Sequence, residues 1–454
     1  MPNESQTTSS PRSTRPAADR WSGVRNQPFP RLVLHFFGVL FRSGEQPEET
    51  GFDLGVGGLL GILAVPGAFL SLFLFDKYSS LLQFIRGQRA FDIYNGSLPD
   101  KYFFIVFSMV ITGVIAVLKW EQILPGRQDH ANLAPLPIPA RQIFLANLLA
   151  ILLAAALFAV DVNAASSILF PFVVTAGINH LERLFGFMTA HATCVILASV
   201  FTFFTCLAAM GALMALLPDR AFRKVSLYVR ILILVALLTL LCTSFAVPRR
   251  LPRLEATPGS LLAWLPPVWF VALYQVLQDR AGPAFHALAR TGLLATAAVF
   301  GSSLLCCALS YRRHFLRIPE AGDLPPAGRR VRLALPEQLD RLLLPTPFER
   351  AAYHFALRTL LRSESHCLLF GAFAGLGLVL AAQAALSGDA LPIPLILCYF
   401  CICGLRFVFD VPARLQANWI FQAVLDDHAG RTAAVARKII LSVLLPLVIL
   451  PTLL

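Results

Sequence analysis

Five lysines occur in this 454-residue chain, Lys77, Lys101, Lys119, Lys224 and Lys438, and none follows a glycine. A nucleotide-binding P-loop ends in Gly-Lys-Ser/Thr, because its lysine must reach the nucleotide phosphates. The chain therefore carries no such loop. It also has no His-Glu-x-x-His pair, the helix-borne zinc site of many metalloproteases. Cys398-x-x-Cys401-x-Cys403 has a metal-like spacing but lies in an apolar run with no His, Asp or Glu before Asp410. These three cysteines read as packing residues. His180, Glu182 and His191 offer three ligand types in one short segment without an evident fourth, and read as part of an ordinary interfacial stretch. No metal site, no cofactor, no catalytic residue and no enzymatic activity are expected from these patterns.

Polar groups inside apolar runs are costly and mark positions of consequence. Arg406 and Asp410 stand at i, i+4, a spacing that predicts an intramembrane ion pair on one helix face. Asp161 and Asn163 are expected to mark the outer end of a span or a break in it. Asn147 and Gln383 suit hydrogen bonds between helices. Asp92, Asp100, Glu182 and Glu255 fall near one interface without forming a recognised motif. An enzyme acting on a lipid substrate would need such groups to converge, and that remains the alternative function, together with a non-transporting membrane scaffold.

The elements that carry these residues are membrane spans. Apolar residues make up 57% of the chain and charged residues 14%, against about 25% charged in an average soluble domain. A spanning helix needs roughly 20 apolar residues. Uncharged runs of suitable length lie at 54–75, 102–118, 142–160, 193–217, 231–248, 291–311, 367–388, 390–405 and 439–454. The run 164–178 either extends the third span or forms a re-entrant piece. The run 261–278 contains Pro266 and Pro267 and reads as an interfacial segment. The expected fold is an all-α, polytopic transmembrane helix bundle of about nine spans with amphipathic interfacial helices. With the N-terminus inside, the inner segments hold 27 of the 38 Lys and Arg and the outer segments 10. This bias predicts a cytoplasmic N-terminus, in a multi-pass protein of a bacterial-type inner membrane. The net charge of +12 is spread over short stretches between apolar runs, which argues against nucleic acid. Nine cysteines, an odd number within or beside apolar runs, fit reduced packing residues.

Two segments read as amphipathic helices at the inner surface. In 30–42, Arg31, His35, Gly38 and Arg42 share one face and apolar residues fill the rest, a pattern suited to lying among lipid headgroups. In 348–362, Arg350, His354, Arg358 and Arg362 recur every four residues opposite Phe348, Ala352, Phe355, Ala356 and Leu360. That stripe could bind lipid or an acidic partner, or could be a solvated face that orients the next span.

The stretch 120–147, WEQILPGRQDHANLAPLPIPARQIFLAN, resembles the cytoplasmic segment between the second and third spans of ABC-2-type exporter permeases. Leu136, Pro137, Ala140, Arg141, Phe144, Leu145 and Ala146 carry the likeness, and the interfacial helix ahead of the first span matches the family layout. The resemblance covers residues 30–250. It implies a permease subunit of an ATP-driven exporter, powered by a separate ATP-binding subunit, in a homodimer or heterodimer of permeases surrounded by membrane lipids. Arg127, Asp129, Pro135, Pro137 and Arg141 are then the expected coupling residues, since prolines stiffen the backbone that must transmit force. The family core has six spans, and this chain has more. The organisation expected is a disordered cytoplasmic tail at 1–30, an ABC-2-like region at 31–250 with its coupling segment at 119–141, an outer segment and sixth span at 251–311, a basic cytoplasmic segment at 312–366, and C-terminal spans at 367–454.

Overall fold

The computed structural model describes residues 28–41, 56–78, 93–123, 132–133, 135–175, 181–254, 261–314, 344–389, 391–410 and 429–453. Among these residues every regular element is helical. Twelve helices matter here. They are α1 (Pro28–Phe41), α2 (Val56–Phe73), α3 (Leu98–Leu118), α4 (Ala140–Thr175), α5 (Leu181–Leu216), α6 (Asp219–Thr243), α7 (Pro266–Leu277), α8 (Pro283–His314), α9 (Pro347–Arg362), α10 (Glu364–Leu386), α11 (Ile393–Asp410) and α12 (Ala429–Leu453). Eight described helices are long and apolar enough to cross a membrane. They lie at Gly61–Tyr78 and in α3, α4, α5, α6, α8, α10 and α11, as befits a multi-pass membrane protein. The ninth expected run forms the second half of α12, whose first half carries Arg431, Arg437 and Lys438.

The chain divides into two compact units, residues 1–56 with 121–157 and residues 57–120 with 158–454. In the first, α1 buries Leu32, Val33, Phe36 and Leu40 and exposes Arg31, Leu34 and His35. Asn147 Nδ2 donates to the Ile123 carbonyl at 3.3 Å, tying the segment after α3 to α4. In the second unit α3, α5, α6, α7 and α8 pack around one aromatic-rich core that includes Phe104, Phe170, Phe201, Phe270 and Tyr274. Beyond it, α10 packs on α6, α11 on α10, and α12 on α11.

Three local expectations meet the structure differently. The helix carrying Asp161 and Asn163 neither ends nor breaks there: α4 runs unbroken for 36 residues, about 54 Å at 1.5 Å per residue. As far as Thr175 the 164–178 run therefore extends the third span, because Asn163 bonds inside the bundle instead of meeting water. The second span begins at Leu98 rather than 102, enclosing Asp100 and Lys101. The 261–278 run forms a short turn and α7, whose Val268, Phe270, Val271, Ala272 and Tyr274 are wholly buried. At 12 residues, roughly 18 Å, α7 is too short to span, yet it is packed into the core rather than laid on its surface.

Helix contacts in lipid depend on close approach and satisfied polar groups, since burial from lipid brings no hydrophobic gain. Hydroxyls on the spans bond back to carbonyls four residues earlier: Thr202 to Ala198 at 3.0 Å, Thr239 to Val235 at 2.8 Å. Gly211 lets α5 meet α8, where an added Cβ would stand 2.8 Å from Cys306 Cβ and 3.1 Å from its backbone carbon. Ser310 Oγ donates to the Gly211 carbonyl across the same contact at 2.7 Å. Gly211→Leu is expected to lower apparent stability by about 1–3 kcal/mol through overpacking. Gly186→Ala, in open space on the same helix, is expected to be neutral or to gain up to about 1 kcal/mol from helix propensity. Thermal unfolding in detergent compares the two, and equal shifts would refute the close-packing account.

Candidate functional site

Three groups of residues could do more than hold helices together. The first is a hydrogen-bonded knot in the middle of the spans. Ser199 on α5 accepts from Asn163 Nδ2 of α4 at 3.0 Å and from Thr112 Oγ1 of α3 at 3.0 Å. Its own hydroxyl meets Ser108 Oγ at 2.5 Å, and Ser108 donates to the Val195 carbonyl at 2.9 Å. Asn163 also donates to Ala159 O at 2.7 Å. Three helices thus share one polar centre with every member satisfied, which keeps buried hydroxyls inexpensive.

The second group lies at the Leu98 end of α3. Lys101 is fully buried, with Nζ donating to Gln278 Oε1 at 2.6 Å and to the Tyr94 carbonyl at 3.2 Å. Its ammonium also lies 4.7 Å from the Tyr274 ring centre and 5.2 Å from that of Phe187, a cation–π arrangement that supports the charge out of water. His191, 0% exposed, is walled by Phe104, Phe170 and Tyr274 at 5.5, 5.0 and 5.8 Å between ring centres. Neither of its ring nitrogens has a hydrogen-bond partner among the described residues, and neither do Tyr274 OH and Gln278 Nε2. At the rim, Lys77 Nζ meets Asp100 Oδ2 at 2.7 Å, Tyr78 OH donates to the same oxygen, and the Arg280 guanidinium stacks 4.5 Å over Tyr94.

The third group is the proline step. Pro135, Pro137, Pro139 and Arg141 are all exposed, and α4 begins at Ala140, directly after the step. Arg127 and Asp129 lie outside the described residues, as do Arg42 and most of the 312–366 segment.

The remaining expected positions fall as follows. Arg406 Nη1 and Asp410 Oδ1 are 2.5 Å apart at the end of α11, with side chains 72% and 54% exposed. At that exposure the pair adds little to stability in water. On α9, Arg358 and Arg362 are exposed, while Arg350 Nη2 approaches the Leu344 carbonyl at 3.5 Å. The opposite face of α9 is covered within the protein: Tyr353 and Leu357 pack with Val435 and Ile439 of α12, and Lys438 Nζ meets Glu349 Oε2 at 2.8 Å. Thr346 caps the helix by accepting from the Glu349 N–H at 3.2 Å. Part of its apolar side is therefore covered by α12, while Phe355, Arg358 and Arg362 are open. All nine cysteines are unpaired, and no metal-type cluster occurs among the described residues. Glu182 is exposed at the start of α5 while His191 is buried, and His180 is outside the described residues.

Comparison with family models, curated proteins and solved structures gives no match for this chain. The arrangement must be read from its own geometry.

Sequence reasoning missed Lys101, Tyr274, Gln278, Ser199 and Arg230. Lys101 reads as a loop charge because it borders an apolar run; the signal available was the helix-compatible Leu98-Pro99 start. Arg230 reads as an inner-loop charge, but it is 4% exposed within α6 and paired to Glu364 of α10, which is 38% exposed. No local signal links residues so far apart. Glu364→Ala is expected to cost roughly 1–3 kcal/mol, reduced from the fully buried case by the exposure of the glutamate. Arg230→Met added to it should recover part of that loss, because the buried charge goes too. A double variant less stable than Glu364→Ala in thermal unfolding would refute this. Ser199→Ala should cost about 1–2 kcal/mol by the same measurement, the range of interhelical polar contacts in membranes; no change would show that the knot is idle.

Proposed function

We propose that the chain is the membrane-spanning permease subunit of an ATP-driven exporter, powered by a separate ATP-binding subunit. The observation that carries this reading is the exposed step at Pro135, Pro137 and Pro139, which feeds straight into the unbroken α4. Proline fixes φ and limits compliance, and Arg141 beside the step offers a charged contact. The helix that starts there is continuous over 36 residues. An exposed, stiff entry is what a subunit without its own ATPase requires.

The layout supports the same reading. One short apolar helix, α1, precedes the first six candidate spans, those at Gly61–Tyr78 and in α3, α4, α5, α6 and α8, with two more, α10 and α11, after them. In this reading the step faces the cytoplasm of a bacterial-type inner membrane, and a second permease copy or a partner permease completes the pathway. Substrate shifts the spans between inward- and outward-open states only as far as its affinities for the two differ.

Gentle detergent extraction of the tagged protein should recover a Walker-type ATPase with it. Pro137→Gly combined with Arg141→Glu should lower that recovery about tenfold, the effect of roughly 1.4 kcal/mol of binding energy, with the thermal midpoint unchanged. Recovery of intact protein free of any ATPase, where a known exporter keeps its own, would overturn the proposal.

A further inference from the structure

We infer that the Arg406–Asp410 pair of α11 docks the headgroup of a phospholipid that carries a primary ammonium, phosphatidylethanolamine being the type case. The site needs only that α11 spans a membrane; the exporter reading plays no part in it. Leu395, Tyr399, Ile402, Arg406 and Asp410 follow one another at three or four residues, so they line one side of the helix. All are exposed. The other side, with Leu397, Cys401, Leu405 and Val408, is buried, and α11 packs there against α10 and α12.

On a helix long and apolar enough to cross a membrane, an exposed row of Leu, Tyr and Ile faces acyl chains. This row ends in a cation, followed one turn later by an anion. Four residues of helix rise about 6 Å, and the headgroup layer on each side of a bilayer is about 5–8 Å deep. The pair therefore crosses that layer, with the guanidinium next to the hydrocarbon and the carboxylate next to water. A phosphatidylethanolamine headgroup has the complementary order: its phosphate joins the acyl-bearing glycerol, and its ammonium lies farther out.

The pair keeps capacity for such a ligand. Arg406 Nη1 meets Asp410 Oδ1 at 2.5 Å, which leaves further guanidinium N–H groups and the second carboxylate oxygen. Guanidinium holds phosphate by two parallel N–H bonds, and the carboxylate accepts from the ammonium. The order of the two charges is also the wrong one for a pair that only supports its helix. Acid before base is the better order, and an acid in the last turn opposes the helix dipole. In α11 the base comes first and Asp410 is the final residue. An ammonium beside Asp410 answers both the carboxylate and the negative end of the helix. Phosphatidylcholine offers that charge without an N–H, and phosphatidylglycerol offers a phosphate but leaves Asp410 unanswered.

The test supplies the purified full-length chain in detergent with equal amounts of palmitoyl-oleoyl phosphatidylethanolamine, phosphatidylcholine and phosphatidylglycerol, and reads retained lipid by native mass spectrometry. Wild type should retain phosphatidylethanolamine over phosphatidylcholine about tenfold, the scale of one hydrogen bond between charged groups. Asp410→Asn should lose most of that preference, and Arg406→Gln should lower retention of all three lipids. Arg406→Asp combined with Asp410→Arg keeps the intrahelical pair in the order a helix favours. Its thermal midpoint should be unchanged or higher while the preference is lost, whereas a purely structural pair would leave the retained lipids unmoved. Equal retention of the three lipids by wild type, phosphatidylglycerol held as well as phosphatidylethanolamine, or a preference that survives the exchange of charges would overturn the inference. So would a dimer in lipid-free detergent that Arg406→Gln dissociates, which would place a second copy of the chain on the stripe.

Discussion

Ser199 is the point on which the arrangement of spans depends. In lipid no water waits to satisfy a hydroxyl or an amide, so each must find its partner inside the protein. Ser199 accepts from Thr112 and Asn163 and meets Ser108, and those contacts set the rotation of α3, α4 and α5 about their axes. Phe104 and Phe170 are brought against His191, and Phe201 against Phe270.

The same constraint bears on how α4 carries Asn163, Ser166 and Pro171 without breaking. Ser166 donates to the Asn163 carbonyl at 3.1 Å and Thr175 to the Pro171 carbonyl at 2.8 Å. Pro171 has no N–H for the turn before it, and α4 nevertheless continues through it to Thr175. A continuous helix of 36 residues results. On the far side of α6, a different device joins the C-terminal spans: Arg230 reaches Glu364, and Gly375 of α10 accepts Val235 of α6 closely enough that an added Cβ would stand 2.3 Å from its methyl.

Charge is treated differently at the two ends of the spans. Arg406 and Asp410 are open to their surroundings and nearly neutral in energy, whereas Lys101 is enclosed by aromatic faces and two oxygen acceptors. Dipoles and rings stand in for water around that ammonium.

The sequence by itself determined the class of the protein, the places where most spans lie and the local pairing of Arg406 with Asp410. These follow from composition, run length and i, i+4 spacing, all of which act within a few turns of one helix. It did not determine that α4 would continue past Asn163, that the 261–278 run would be drawn into the core, or that Lys101 would be enclosed. The physical reason is that α4, α5 and α8 are apolar nearly all round, so no face of the pattern marks which side meets a neighbour. Only the packed structure chose those faces. With them came the contacts that sequence spacing cannot show: Lys101 with Gln278, Ser199 with Asn163, and Arg230 with Glu364.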